Sequence, residues 1–448
     1  MTFNLDFSCG NNNYPLKLQE NLMDEPGVFI NQKSYKLSSS ENSPVIQTLI
    51  RSLNGMSFDT VETFQATLSD FNTEEKISTC YQKFLSSEEL DEDKEKSLFL
   101  FFQKQFEKKG FSGSVLIIKQ GKILLHKGYG LANDQGEEIT EQTIFPIGAL
   151  SKQFTAVALL LLEQQGSLSI GDPIKKHLPT HLYSQLWDTV TIHQLLNHSS
   201  GIADFDEAIF MLKKESQTVE QLINLFFEKP LLFKPGTAWH YSNCGYVLLG
   251  AIIENVASQS YREFIQNEIF FPSDMKNSGY GNSSQLENLA TGYRENNSKT
   301  VEAVTNQKNN LLNAYAGGGI YSTTEDLLKW NKMLFSDVLL SADSRKKLFH
   351  GSAIPLHLPQ KKSIPLEECC LPFSELHSKT PLIYYGYGVF LSDPTKLGYF
   401  FYHFGSLEGF SSFLKTSLST KNVIIILSNK ENAPLKEFIE YIQNVLKE

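Results

Sequence analysis

Residues 145–156 read Phe-Pro-Ile-Gly-Ala-Leu-Ser-Lys-Gln-Phe-Thr-Ala and contain the most informative pattern of the chain. The pattern predicts a helix over residues 149–165, because apolar residues recur there at helical spacing. Ala149 and Lys152 are three residues apart, so the predicted helix places them on one face. The question that follows is whether the rest of the chain supplies partners for this face.

The length and composition indicate a folded protein of more than one packed unit. A chain of 448 residues exceeds one ordinary core. Its composition is globular, with 41% hydrophobic and 20% charged residues. The formal net charge is -10, and lysine and arginine are scattered along the chain. No basic groove for a nucleic-acid partner is therefore expected.

The chain shows no targeting or metal-binding signal. Residues 1–13 have neither a basic segment nor an apolar one, which argues against a Sec-type signal peptide. No apolar run reaches about 18 residues, so we expect no membrane span. We expect a cytoplasmic protein, or one exported by a route without a Sec signal. The five cysteines indicate a reducing compartment without a disulfide framework. The spacing of cysteine and histidine predicts no metal site, and we expect no cofactor.

The pattern changes near residue 95. Residues 1–95 form an extension that we interpret as a packing or protein-partner surface, with a hairpin at 27–37 and short helices at 44–53 and 59–71. Residues 96–448 have clearer periodicity, and the part at about 168–326 is mostly helical. A hairpin turn is predicted at Gln120-Gly121. Further strands are predicted at 387–391, 398–404, 410–415 and 422–427, and a final helix at 434–446.

Three short motifs follow one another along the chain. They are Ala149-Leu150-Ser151-Lys152, then Tyr241-Ser242-Asn243, then His403-Phe404-Gly405. A Ser-x-x-Lys spacing alone is uninformative, because the chain repeats it by chance at 273–276, 344–347 and 412–415. The informative features are the order of the three motifs and the sequences that surround them. The surroundings are residues 194–202 (Gln-Leu-Leu-Asn-His-Ser-Ser-Gly-Ile), 233–236, 246–250, 318–323 and 386–389.

Over residues 96–448 these motifs resemble the class C β-lactamase and D-alanyl-D-alanine carboxypeptidase-like family of serine hydrolases. The His-x-Gly triplet is closer to the esterase-like branch. The resemblance implies an α+β fold (an α/β sandwich), in which helices flank an antiparallel sheet. The segment at about 168–326 would be the inserted helical subdomain.

The resemblance also implies roles for the residues of these motifs. Position 149 would carry the serine nucleophile, which needs a nearby base. Lys152 would be the general base, provided that burial lowers its pKa. Tyr241 would relay a proton to the leaving group. Asn243 would hydrogen-bond Lys152 and an amide or ester of the substrate.

The third motif would complete the site. His403 would orient the tyrosine or the substrate electrostatically, and Gly405 would bind substrate. The backbone N–H groups of Ala149 and Ser406 would form the oxyanion hole, which needs no side chain. For His198, in the loop motif, we favour a structural role over a catalytic one.

Ala149 stands where the family has serine. Loss of the nucleophile of such a cooperative site costs on the order of 10⁶ in turnover. Ser151 is no substitute, since two residues along a helix rotate a side chain by about 200°. The sequence therefore predicts a chain close to inactive as written.

Two explanations of Ala149 compete. In the first, a serine was replaced by alanine, and the intact Lys152, Tyr241, Asn243 and His403 slightly favour this. In the second, alanine is native and the chain is a pseudoenzyme that binds a ligand or partner through the cleft. A third class of function is a structural or filament-forming protein on this fold, although no interface or oligomeric state is specified by the sequence.

The substrate is constrained only to a small acyl or peptide-like compound. We favour an esterase or peptidase over a β-lactamase, because no signal peptide is recognised. Residues 355–381 are interpreted as an insert near the mouth of the cleft. We interpret its Cys369-Cys370 pair as incidental rather than catalytic.

Overall fold

The computed structural model describes 16 segments of the chain. These are residues 2–9, 12–20, 28–30, 33–39, 57–58, 93–108, 110–205, 215–281, 286–295, 301–304, 307–351, 354–357, 371–372, 382–392, 399–417 and 420–446. They divide into two compact units, Met1–Ser97 with Gln120–Leu124 and Leu98–Lys119 with Leu125–Glu448.

The first unit contains a five-stranded sheet. Its strands are β1 (Thr2–Cys9), β2 (Asn12–Glu20), β3 (Val28–Ile30), β4 (Lys33–Ser39) and β5 (Ser57–Phe58), in the order β1-β2-β4-β3-β5. Strands β3 and β4 pair antiparallel, which confirms the hairpin predicted at 27–37. The helices predicted at 44–53 and 59–71 lie outside the described residues.

The largest sheet of the described residues has eight strands. In spatial order its strands are β14 (Ile354–His357), β16 (Leu382–Tyr385), β17 (Phe390–Leu391), β18 (Phe400–Leu407), β19 (Phe410–Ser417), β20 (Val423–Ser428), β6 (Gly113–Lys119) and β7 (Lys122–Tyr129). The pairs from β14 through to β6 are antiparallel. Gln120 and Gly121 have φ of 50° and 87° at the β6–β7 turn, as a tight hairpin requires. Every residue of β20 is buried, which fits its continuous apolar sequence.

Short strands and helices surround this sheet. The strands are β8 (Phe145–Pro146), β9 (Ala238–Trp239), β10 (Gly279–Tyr280), β11 (Tyr293–Glu295), β12 (Val301–Ala303), β13 (Ile320–Ser322) and β15 (Leu371–Pro372). The helices are α1 (93–108), α2 (Ser151–Gln164), α3 (Ile192–Leu196), α4 (Val219–Asn224), α5 (Asn243–Ala257), α6 (Tyr261–Ile265), α7 (Gln307–Gly318), α8 (Thr324–Leu334), α9 (Ala342–Lys346) and α10 (Leu435–Leu446). This mixture of helices and an antiparallel sheet confirms the predicted α+β class.

Helix α2 is the centre of the second unit. Its residues from Ser151 to Leu162 are all buried, including the polar side chains of its first turns, and the part from Ala156 to Leu162 is apolar on every side. Phe154 stacks on Trp330 of α8 with ring centroids 4.1 Å apart. Since α2 is fixed on all sides, the residues at its first turn have a defined position.

Two predicted boundaries were wrong. The helix predicted from residue 149 starts instead as a 3-10 turn over Gly148–Leu150, and the α-helix begins at Ser151. The strand predicted at 387–391 is reduced to Phe390–Leu391. Gly388 has φ of 70°, and a Cβ on it would lie 2.6 Å from the Lys152 carbonyl oxygen. Residues 386–388 therefore bend across α2 instead of extending the strand.

Other signals were read correctly. Thr323 caps α8, since its side chain accepts a hydrogen bond from the Asp326 N–H. Phe438 of the amphipathic α10 packs edge-on against Phe102 and Phe111, with centroids 5.4 and 5.0 Å away. Within the described ranges, no helix is long and apolar enough to cross a bilayer.

Candidate active site

The Lys152 ammonium lies in the interior at the start of α2. The residue is 0% exposed. Its Nζ donates to Asn243 Oδ1 at 2.8 Å and to the Gly317 carbonyl oxygen at 2.9 Å. It also lies 4.8 Å from the ring centroid of Tyr241 and 5.2 Å from that of Tyr246. A buried lysine needs such oxygen and aromatic partners, because they replace part of its lost hydration. The structure thus brings Lys152, Tyr241 and Asn243 together.

The Gly317 carbonyl is positioned by a distortion of α7. Tyr315 has φ of 42° and ψ of -136°, an unfavourable conformation for a bulky residue. One residue on, the Ala316 carbonyl oxygen accepts from Thr155 Oγ1 at 2.6 Å. Lys152 and Thr155, three residues apart on α2, therefore hold two successive carbonyl groups of this segment.

Asn243 occupies the first position of α5. The preceding residue, Ser242, caps the helix by accepting from the Gly245 N–H at 3.1 Å. The Asn243 side-chain Nδ2 donates to Asp204 Oδ2 at 3.0 Å, and the Cys244 N–H donates to Asp204 Oδ1 at 3.1 Å. Asp204 was not anticipated from the sequence, because no spacing or motif relates it to Asn243.

Tyr241 is packed against His198. Their ring centroids are 4.3 Å apart, and His198 Nδ1 accepts from the Ser242 N–H at 3.2 Å. The His198 carbonyl oxygen accepts from the His240 N–H at 3.0 Å. Burial, with the Lys152 charge adding to it, lowers the pKa of His198 well below its ordinary value. A neutral His198 therefore fixes the chain on both sides of Tyr241, which fits the structural role favoured from the sequence.

His403, in β18, is a neutral buried histidine. Burial, assisted by the Lys152 charge, lowers the pKa of His403 to about 3. Its Nδ1 bonds the Phe404 carbonyl oxygen, and its Nε2 lies 3.2 Å from the Tyr385 hydroxyl. A carbonyl oxygen only accepts, so we assign the ring proton to Nδ1, and Nε2 then accepts from Tyr385. The His403 and Tyr241 ring centroids are 6.3 Å apart.

Strand β18 lies directly against the turn that precedes α2. Gly148 has φ of 52°, and a Cβ on it would lie 2.8 Å from the Ser406 carbonyl oxygen and 3.0 Å from its nitrogen. A Cβ on Gly405 would lie 2.1 Å from the Ile147 carbonyl oxygen. These glycines permit the approach of the two backbones. Residues 149 and 406, whose N–H groups were predicted to form an oxyanion hole, belong to the two segments that meet here.

Ser151 has a different environment from Ala149. It is 0% exposed, and its Oγ accepts from the Ile320 N–H at 3.1 Å. Its hydroxyl is thus used in holding β13 against α2.

Among the described residues, no group of three or more His, Cys, Asp or Glu side chains is placed to hold a metal ion.

The insert predicted at 355–381 is described by the structure only at residues 355–357 and 371–372. The Cys369-Cys370 pair lies outside these residues.

The sequence and fold were compared with those of known proteins. The profile of the Beta-lactamase family matches residues 100–445. The chain therefore belongs to the Beta-lactamase family. Its relatives include penicillin-binding proteins, and it shares the fold of these serine hydrolases.

Three relatives illustrate the similarity. Penicillin-binding protein 4* of Bacillus subtilis (strain 168) is 29% identical over 374 residues, which cover 80% of this chain and 76% of that protein. Putative penicillin-binding protein PbpX of the same organism is 33% identical over 243 residues, covering 54% of this chain and 59% of that protein. The octameric penicillin-binding protein homologue from Pyrococcus abyssi has a TM-score of 0.66 at 26% identity, covering 78% of this chain and 77% of that one.

Proposed function

We propose that the cleft beside α2 is a serine acyl-hydrolase site from which only the attacking hydroxyl is missing. The observation that carries the proposal is the buried Lys152, held by Asn243 and Gly317 beneath the Tyr241 ring. Lys152 is fixed about one helical turn from position 149, and a general base for a hydroxyl at position 149 is needed at that place. The substrate class is a small acyl or peptide-like ester or amide.

With serine at position 149, the proposed reaction has two halves. Serine Oγ forms a bond to the substrate carbonyl carbon while neutral Lys152 takes the hydroxyl proton. The backbone N–H groups of residues 149 and 406 stabilise the oxyanion. The bond to the leaving alcohol or amine breaks as Tyr241 supplies a proton to it, and the proton that Lys152 took from serine replaces the one that Tyr241 gave up. Water then attacks the acyl-serine and gives a proton to neutral Lys152. Lys152 returns this proton to serine Oγ as the acyl–oxygen bond breaks, which leaves the acid and the free serine.

With alanine at position 149, no acyl-serine forms. We expect hydrolysis at least on the order of 10⁶-fold below that of the serine form. The non-covalent binding contacts do not involve the missing hydroxyl, so substrate binding is expected to persist.

The test is Ala149→Ser, assayed with p-nitrophenyl esters, a chromogenic β-lactam and a fluorescent penicillin. The β-lactam probes are chosen because the relatives are named penicillin-binding proteins. We expect ester turnover or covalent labelling in A149S, and neither in the chain as written. The double variant A149S/K152M serves as the matched control, and it should show neither the ester turnover nor the covalent labelling of A149S. Failure of A149S to hydrolyse or bind any of these probes covalently would refute the hydrolase proposal.

Ala149 itself supports a second candidate, a native pseudoenzyme that binds a ligand or partner through the same cleft. The contacts of Lys152 with Asn243 and Gly317 do not involve the side chain at position 149, which supports binding through the cleft without a nucleophile. Isothermal titration with a non-hydrolysable acyl amide distinguishes the two. Binding by the chain as written, combined with an inert A149S variant, would favour the pseudoenzyme.

A further inference from the structure

The side chain of Asn243 is held from the side opposite Lys152 by a carboxylate of another loop. Asp204 lies in the loop that follows α3, 39 residues before Asn243 in the chain. Its Oδ2 accepts from Asn243 Nδ2 at 3.0 Å, and its Oδ1 accepts from the Cys244 N–H at 3.1 Å. We propose that Asp204 is a positioning residue, which fixes the Asn243 amide with its oxygen toward Lys152. This inference rests on the proposed function, because it assigns Lys152 as the base.

The polarity of these hydrogen bonds allows only one arrangement. An asparagine amide can point either way, and its oxygen and nitrogen are distinguished only by their partners. An ionised carboxylate only accepts. Asp204 alone therefore requires the amide to present its N–H to the carboxylate, which leaves the amide oxygen toward Lys152 in both the charged and the neutral state of the amine.

Both the backbone and the carboxylate of Asp204 are held in place. The Lys229 ammonium donates to the backbone carbonyl oxygen of Asp204 at 2.9 Å. The Asp204 carboxylate also meets the first turn of α5, a helix of 15 residues. The N–H groups and the dipole of a helix N-terminus stabilise a negative charge there. Asp204 is thus anchored independently of Asn243 and is able to impose an orientation on it.

A simpler role for Asp204 would be to cap the Cys244 N–H, and Asp204→Asn separates the two roles. Asparagine caps a helix about as well as aspartate, so a capping role alone predicts only the loss of the interaction between the charge and the helix dipole, at most about threefold in the unfolding equilibrium constant. If Asp204 orients Asn243, the amide nitrogen introduced at position 204 meets Asn243 Nδ2, donor against donor. Rotation of the Asn243 amide only transfers the clash to Lys152.

The exchanged variant D204N/N243D restores the match. The amide oxygen introduced at position 204 again accepts from the Cys244 N–H, and the amide nitrogen beside it donates to the carboxylate introduced at position 243. The other oxygen of that carboxylate accepts from Lys152. Every donor again faces an acceptor, although the charge now lies next to the ammonium.

The first experiment measures urea unfolding of the full chain with Ala149 retained, so it needs no catalysis. We expect D204N to raise the unfolding equilibrium constant by about 10-fold, the lower end of the range for an unmatched hydrogen-bonding group, because Asp204 and Asn243 are only partly buried. D204N/N243D should return to within about fivefold of the starting chain. The control Glu440→Gln removes a carboxylate from an exposed position of α10 and should change the constant by less than about twofold.

The second experiment reports on Lys152 and uses A149S as the background. The acidic limb of the pH–rate profile follows deprotonation of the base. It should move to lower pH in D204N, where a nearby negative charge is lost, and to higher pH in D204N/N243D, where the charge is closer. His198 and His403 face Lys152, but their lowered pKa values keep them neutral over this range. Loss of the charge alone moves the limb, so the recovery of stability in D204N/N243D is the readout that separates positioning from a purely structural role of Asp204.

The outcomes are separable. A D204N variant as stable as the starting chain, or an exchanged variant no more stable than D204N, overturns the positioning role. An exchanged variant that folds where D204N does not supports it. If A149S has no activity, the hydrolase proposal fails while the unfolding comparison still decides the role of Asp204.

Discussion

Acidification should destabilise the folded chain through His403, which is buried and neutral. Its pKa falls from 6.5 to about 3 on folding, mainly because burial disfavours the charged ring. A histidine whose folded pKa is lowered contributes its full stability above pH 6.5. That contribution is lost as the pH falls toward about 3. From linkage, the free energy of unfolding should decrease by about 2 kcal/mol between about pH 7 and about pH 5 on account of this residue.

The perturbation that isolates this effect is His403→Gln, which retains an acceptor for Tyr385 but does not titrate. Urea unfolding of both proteins is measured at about pH 7 and about pH 5. The free energy of unfolding of the histidine protein minus that of His403→Gln should decrease by about 2 kcal/mol at the lower pH. Only in the histidine protein does the unfolded chain gain a proton at residue 403 that the folded chain does not bind. His198 is present in both proteins and cancels. The exposed His181→Gln variant controls for loss of a histidine in general. An unchanged difference at the two pH values would refute the assignment of His403 as buried and neutral.

Two further predictions concern the contacts around β18. Gly405→Ala should lower the free energy of unfolding by more than about 2 kcal/mol, because the new Cβ would lie 2.1 Å from the Ile147 carbonyl oxygen. Thermal or urea unfolding measures this, and Gly171→Ala, where the nearest atom is 3.8 Å away, should be nearly neutral. Tyr385→Phe should cost about 1–3 kcal/mol, because it removes the donor to His403 Nε2. In the H403F background, where the His403 acceptor is lost and the contact of Tyr385 with Tyr246 remains, the same change should cost less in a double-mutant cycle, and equal costs would contradict the hydrogen bond to His403.

Residues of the candidate site whose side chains belong to short local motifs could be picked out from the sequence. Lys152, Tyr241 and Asn243 were placed together from motif order, and their distances agree with that placement. The apolar pattern of β20 and the capped start of α8 likewise follow from local sequence. These signals are short-range, and they depend on the residue types themselves.

The features that were missed are long-range. The Gly317 carbonyl accepts from Lys152 across 165 residues, and a backbone carbonyl leaves no trace in residue type. Asp204 reaches Asn243 from a loop, where a single carboxylate looks like any solvated one. The strand at 387–391 was misread because tertiary contact with α2, rather than propensity, decides the conformation of Gly388.

The hydrogen bonds that hold Lys152 and Asn243 do not include the side chain at position 149. Lys152 is held by Asn243 and Gly317, and Asn243 in turn by Asp204, so a residue-149 side chain is not among the supports. The binding geometry and the attacking group are therefore separate properties of the cleft. Restoring the hydroxyl in A149S should change the stability by no more than about 0.5 kcal/mol while adding the nucleophile. A large loss of stability in A149S would show that the cleft is adapted to alanine, which would favour the native pseudoenzyme over a hydrolase that has lost its serine.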